Sequence, residues 1–136
     1  MKTIIKMAST GLYAGYFPIA SGTVASLWGV VLFLNLHGYF WYFLAVTIGL
    51  TALGFLVSTE AEKIFGEKDS RNIVIDEIAG MCLVYVGFKP ETWLIVTGFL
   101  IYRFFDIIKP PPSRQWQRWP GALGIMQDDL ICAIYT

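Results

Sequence analysis

No aspartate, glutamate, lysine or arginine occurs between Lys6 and Glu60. A soluble domain of 136 residues cannot hold so long a stretch away from water, so this gap points towards lipid. Charged residues make up 15% of the chain and hydrophobic ones 56%, against about 25% charged in an average soluble domain, which also excludes disorder. The formal net charge is zero, so no nucleic-acid partner is expected. Histidine occurs once, at His37, which leaves histidine-dependent phosphatase chemistry without its usual complement. Cysteine is scarce as well: Cys82 and Cys132 stand in apolar runs with no CxxC or Cys/His spacing, and are expected to be buried thiols rather than zinc ligands. Lys2 and Lys6 precede an apolar stretch, but Gly11, Gly15 and Pro18 interrupt it before a signal-peptide core can form.

What remains is a set of apolar runs too long for strands and without strand alternation. They predict a single all-α domain over residues 1–136, a compact bundle of about six helices, several of them membrane-embedded. One helix is expected from Ser21 or Thr23 to about Leu36, with His37-Gly38 as a turn. A second runs from about Tyr39 to Phe65, stopped by Gly66. A third covers about Asn72 to Val86, and a fourth runs from about Glu91 to Ile108, ended by Pro110-Pro111-Pro112. A last helix is expected near Met126, and an amphipathic one over Lys2–Tyr13. Only the Tyr39–Val57 run approaches the ~20 residues of a full span. An up-and-down path puts nine of the ten Lys and Arg on one side, leaving Lys89 opposite, and the positive-inside rule makes that side cytoplasmic.

Ionisable groups inside apolar helices are costly and point to function. Asp76 and Glu77 lie in the third helix, Asp106 near the end of the fourth, and Asp128 and Asp129 are expected to open the last. The topology brings these five carboxylates to one level. Such a cluster repels itself in a low dielectric, and a hard divalent cation with all-oxygen ligands resolves the repulsion. On this reading Asp76, Glu77, Asp106, Asp128 and Asp129 are metal ligands, and removing one carboxylate should relieve repulsion and leave stability unchanged or higher. The bland alternative is a set of interfacial acids paired with Arg71, Arg103 and Lys109. Arg103, Asp106 and Lys109 share a helix face at i, i+3 and i+6, so the two cations could hold a phosphate beside the metal. Gly22, Thr23 and Ser26 start a helix on the same side, where backbone N–H groups and hydroxyls favour an anion, although Gly-Thr is also an ordinary cap. His37 falls at the opposite end.

Four segments then carry a family resemblance: Ser21–Leu27, Asn72–Met81, Tyr102–Pro112 and Gly124–Asp129. In that order the chain resembles the phosphatidylglycerophosphatase A family, from about residue 9 to 133. The resemblance implies a Mg²⁺-dependent membrane phosphatase that removes the terminal phosphate of phosphatidylglycerophosphate, giving phosphatidylglycerol. It places the enzyme in the bacterial cytoplasmic membrane with the site facing the cytoplasm. The family's acidic positions map onto Asp76, Glu77, Asp106, Asp128 and Asp129, and less firmly onto Asp69. Catalytic roles fall to Asp129 (positioning water), Asp106, Arg103 and Lys109. Three departures stand out. Ala25 replaces a usual glycine, Trp119–Leu123 replaces a more glycine-rich approach to the acidic pair, and Cys132 with the stop at Thr136 suggests a shortened last helix. The rival reading is a small cation-binding transporter or channel subunit. A CDP-alcohol phosphotransferase is excluded by the lack of a D-x₂-D-G repeat.

Overall fold

The computed structural model describes residues 1–18, 21–66, 72–108 and 122–135, except for the side chains of 122–125, 128, 129 and 135. Among the described residues there are six α-helices and no strands: α1 (Lys2–Ser9), α2 (Ser21–Leu36), α3 (Phe40–Phe65), α4 (Ile75–Tyr85), α5 (Thr92–Ile108) and α6 (Ala122–Tyr135). A single 3-10 turn, Ala14–Tyr16, links α1 to α2.

The shortest of the middle helices forms the core. Nine of the eleven residues of α4 are buried, so it is apolar on almost every side. It packs against α2, α3, α5 and α6. Phe33 of α2 stacks on Tyr85 at the C-terminal end of α4, ring centroids 4.8 Å apart. At the other end Ile75 and Ala79 join Val57 and Ala61 of α3 and Met126 of α6 in a second apolar cluster. Gly54 of α3 permits this approach, since a Cβ there would meet the Met126 thioether.

The ends of α2 and α3 fall where the sequence predicts, because glycine and the His37-Gly38 turn interrupt continuous apolar runs. Gly66 closes α3 in the left-handed conformation (φ 70°), and its N–H reaches the Glu62 carbonyl. The expected helix over Lys2–Tyr13 stops instead at Ser9. The Thr10 hydroxyl turns back to the Lys6 carbonyl, and Gly11, Leu12 and Tyr13 all take positive φ. The Ser9 carbonyl accepts the Val74 N–H at 2.8 Å, tying α1 to the start of α4. The third helix is trimmed to Ile75–Tyr85, and α6 begins at Ala122, ahead of the expected start near Met126. Asp128 and Asp129 therefore lie in the middle of α6 rather than at its opening.

Among the described helices, α3 alone has the length and composition to cross a bilayer; 22% of its apolar window is buried in the protein, so most of that surface faces outwards. At 11 and 14 residues, α4 and α6 reach about 16 and 21 Å, short of a ~30 Å hydrocarbon core.

Candidate active site

The helices alternate in direction, and four contacts collect the predicted site at one end of the bundle. The first is Val74 to Ser9, at the start of α4. The second joins α2 to α4. A Cβ built on Gly22 would clash with the carboxylate of Glu77, so the glycine lets that carboxylate lie directly against the first turn of α2. The third and fourth join α4 to α5. Arg103 Nη1 lies 2.6 Å from Asp106 Oδ2 and 3.4 Å from Glu77 Oε1, and the Tyr102 hydroxyl lies 3.5 Å from the Glu77 carbonyl oxygen. His37 sits at the opposite end, exposed, its Nδ1 against the Leu34 carbonyl at 2.8 Å.

The register of α5 on α4 explains the third contact. Tyr102 packs against Gly80, and Gly98 packs against Tyr85 and Val84 one turn further on. Stepping one turn the other way leads from Gly80 to Asp76 and from Tyr102 to Asp106. The antiparallel pair therefore puts both aspartates on the α4–α5 face, at the level where Arg103 reaches Glu77.

Three of the five predicted carboxylates are described. Asp76 and Asp106 are each 6% exposed, and Glu77 is partly buried. Asp76 and Glu77 occupy the first turn of α4, where the helix dipole favours their charged forms. Being consecutive, they diverge by about 100° around the helix axis. Glu77 points to α2 and Arg103. Asp76 falls on the arc between Gly80, which faces α5, and Ile75, which faces α3 and α6. Among the described residues no group of three or more His, Cys, Asp or Glu side chains is gathered so as to hold a metal ion. The side chains of Asp128 and Asp129, together with Lys109 and Asp69, lie outside the described residues. The carboxylates that are described fit a hard divalent cation in kind: all their donors are oxygen, and His37 lies at the opposite end.

The residues nominated for phosphate take up other contacts here. The Glu77 carboxylate lies against Gly22, on the first turn of α2. Ser26 is fully buried, and its hydroxyl donates to the Gly22 carbonyl at 2.9 Å. Thr23 is partly exposed at the same helix start. Arg103 holds two carboxylates at once, as the ion-pair alternative anticipates, and its side chain is 14% exposed. A guanidinium nitrogen shared by two acids offsets much of their mutual repulsion. The five N–H donors of its planar fork suit a phosphomonoester as well as a carboxylate.

Two residues of this region escaped the sequence reading as site residues: Tyr102 and Gly80. The available signals were a tyrosine one turn before a buried aspartate and a glycine one turn after another. Helical periodicity within a single segment does not reveal that such residues meet.

The family described as phosphatidylglycerophosphatase A matches residues 7–136. A phosphatidylglycerophosphatase A of Haemophilus influenzae is 34% identical over 97% of this chain and 83% of its own length. One from Escherichia coli is 30% identical over 96% of this chain and 77% of its own. A putative phosphatidylinositol-3-phosphatase of Bacteroides thetaiotaomicron is 27% identical over 96% of this chain and 87% of its own. No solved structure matches.

Proposed function

The chain belongs to the phosphatidylglycerophosphatase A family, and from that premise we propose that it hydrolyses the terminal phosphomonoester of phosphatidylglycerophosphate to phosphatidylglycerol. The observation that carries the reading is the extent of the family match. It takes in every residue of the site, from Gly22 through Asp76, Glu77, Arg103 and Asp106 to Asp129.

The chemistry asks for three things. A dianionic phosphate must be bound beside carboxylates, charge must be offset as the ester bond breaks, and water must be aligned. Asp76, Glu77 and Asp106, with Asp128 and Asp129, are the residues that would hold Mg²⁺, and the metal when bound supplies the positive charge that makes an anionic cluster attractive to phosphate. Arg103, with Lys109 six residues further on in the sequence, would offset charge on the phosphoryl oxygens. Asp129 is the carboxylate we assign to orienting the attacking water. The Glu77 carboxylate, seated on α2 and tied to Arg103, fixes where the guanidinium stands. The lipid tails stay in the bilayer beside α3, and the headgroup enters from the cytoplasmic leaflet of a bacterial inner membrane. The outward apolar surface of α3 supports this placement.

The relative named for phosphatidylinositol 3-phosphate favours a second headgroup. Both are phosphomonoesters on a glycerophospholipid, and the same site chemistry serves either. The deciding assay measures phosphate release by purified protein in mixed micelles from phosphatidylglycerophosphate, phosphatidylinositol 3-phosphate and phosphatidic acid, with Mg²⁺ and after exhaustive chelation. Preference for the first, lost on chelation and restored by Mg²⁺, is the expected result. Full activity without divalent cation would remove the metal from the mechanism. No phosphate release from any of the three would overturn the phosphatase reading and revive a cation-binding transporter.

A further inference from the structure

We propose that Tyr102 is a positioning residue for this phosphatase site, wedged into Gly80 so as to set the register of α5 on α4; the proposal rests on the phosphatase reading. Tyr102 has no exposed surface, so it meets no substrate. Its ring lies where Gly80 has no side chain. A Cβ there would clash with the hydroxyl and lie 2.9 Å from Cζ and 3.1 Å from Cε2. The hydroxyl also lies 3.5 Å from the carbonyl oxygen of Glu77, a long contact that adds direction more than strength. A tyrosine in this place therefore touches two positions of α4, one turn above Asp76 and on the backbone of Glu77.

The chain around the wedge explains why its position matters. Arg103 follows Tyr102 directly, and Asp106 lies one turn beyond it on the same face. α5 carries both Arg103 and Asp106, whereas α4 carries Asp76 and Glu77. Sliding one helix along the other by one residue moves these pairs about 1.5 Å out of step. The Arg103–Glu77 contact, already 3.4 Å, would not survive a shift of that size within hydrogen-bonding range. At the other end of the pair the stop is softer: a Cβ built on Gly98 would lie 3.0 Å from Tyr85 Cε1 and 3.4 Å from Val84 Cγ1. Misplacement of catalytic groups by about 1 Å can cost about a hundredfold in rate, so a buried contact that touches no substrate still governs turnover.

The experiment compares Gly80→Ala, Tyr102→Phe and the double variant in the full chain, reading kcat and KM for phosphate release together with thermal unfolding. Gly80→Ala drives a methyl into the tyrosine seat and should lower kcat about ten- to a hundredfold. KM should change little, because no substrate contact is removed. Tyr102→Phe should lower kcat several-fold. The double variant should recover activity relative to Gly80→Ala alone, since the methyl takes up space the hydroxyl has left. A core residue with no positioning role predicts no such recovery, and a fall in unfolding temperature without a fall in kcat. Wild-type kcat in Gly80→Ala, or losses that simply multiply in the double variant, overturns the proposal. Should Gly80→Ala fail to fold, Tyr102→Phe decides: an unchanged kcat overturns it. If the wild-type protein releases no phosphate at all, it is the phosphatase reading that falls. Coupling between the two substitutions in unfolding temperature then decides whether the wedge sets the helix register, and additive values reject it.

Discussion

Gly22 and Glu77 meet across the α2–α4 interface so closely that a single methyl on the glycine would clash with the carboxylate. The contact sets a protein carboxylate against the first turn of α2, beside the helix start that the sequence marks for an anion. The two interactions holding Glu77, with the first turn of α2 and with Arg103, come from different helices. Its carboxylate is therefore a junction of α2, α4 and α5.

Gly22→Ala should accordingly displace Glu77 and lower turnover about ten- to a hundredfold. Alanine is the better helix former by about 1 kcal/mol, so propensity alone predicts a small gain in stability. A variant with unchanged kcat, or with KM raised and kcat intact, would show that the glycine serves the ligand rather than Glu77. Steady-state kinetics beside a thermal melt separates these outcomes.

Arg103 balances two acids with one nitrogen, so Arg103→Ala should leave Glu77 and Asp106 facing each other uncompensated. Breaking a buried ion pair by removing one partner costs about 3–5 kcal/mol, and the partial exposure of these side chains places this case towards the lower end. If the same acids hold Mg²⁺, the metal should raise the unfolding temperature of Arg103→Ala by more than that of the wild type, because the cation replaces the lost positive charge. Equal Mg²⁺ shifts in the two proteins would place the metal elsewhere.

The helices could be read from the sequence because each is a long apolar run with a strong stop: His37-Gly38, Gly66, and the prolines after Ile108. Their order also brings Gly22, Glu77, Arg103 and Asp106 to one end. What could not be read depends on side chains meeting between segments. Periodicity places Arg103 and Asp106 on one face of α5, but not Glu77 opposite them, nor the Glu77 carboxylate on Gly22. The end of α1 at Ser9 had the same cause. Thr10 and the Val74–Ser9 hydrogen bond decide it, and one of those partners lies more than sixty residues away.

This changes what the acidic variants should do. The sequence suggests that any carboxylate removed from the cluster relieves repulsion. In the structure Asp106 is the partner of a partly buried arginine at 2.6 Å, so Asp106→Asn should lower stability as well as turnover. Asp76→Asn removes a charge from the same α4–α5 face, where burial and the neighbouring Glu77 oppose it, and should lower turnover while leaving the unfolding temperature unchanged or higher. Matched losses of stability in both variants would make Asp76 a structural ion-pair partner, and the metal assignment would lose one of its ligands. Differential scanning measurements at fixed Mg²⁺ and after chelation make the comparison.

The ends of α3 offer the test of how the site meets the membrane. Lys63, in the last turn of α3, is exposed and lies on the side of Glu77, Arg103 and Asp106; His37, just before the start of α3, is exposed at the other end. The native thiols are poor reporters to begin with. Both are buried, and burial pushes the Cys82 thiol up to about 12, so little thiolate forms at neutral pH. Single cysteines introduced as Lys63→Cys and His37→Cys should then dominate labelling by an impermeant maleimide. If α3 crosses the bilayer with the site in the cytoplasm, Lys63→Cys labels only in inverted vesicles and His37→Cys only in intact cells. The distribution of charge leads the same way, since Lys63 belongs to the nine basic residues placed on the inner side. The reverse pattern would put the site on the outer face, away from a substrate whose phosphate cannot readily cross hydrocarbon. Labelling of both from the inside only would mean that α3 lies against the membrane without crossing it, and the lipid would have to reach the carboxylates from the bilayer surface.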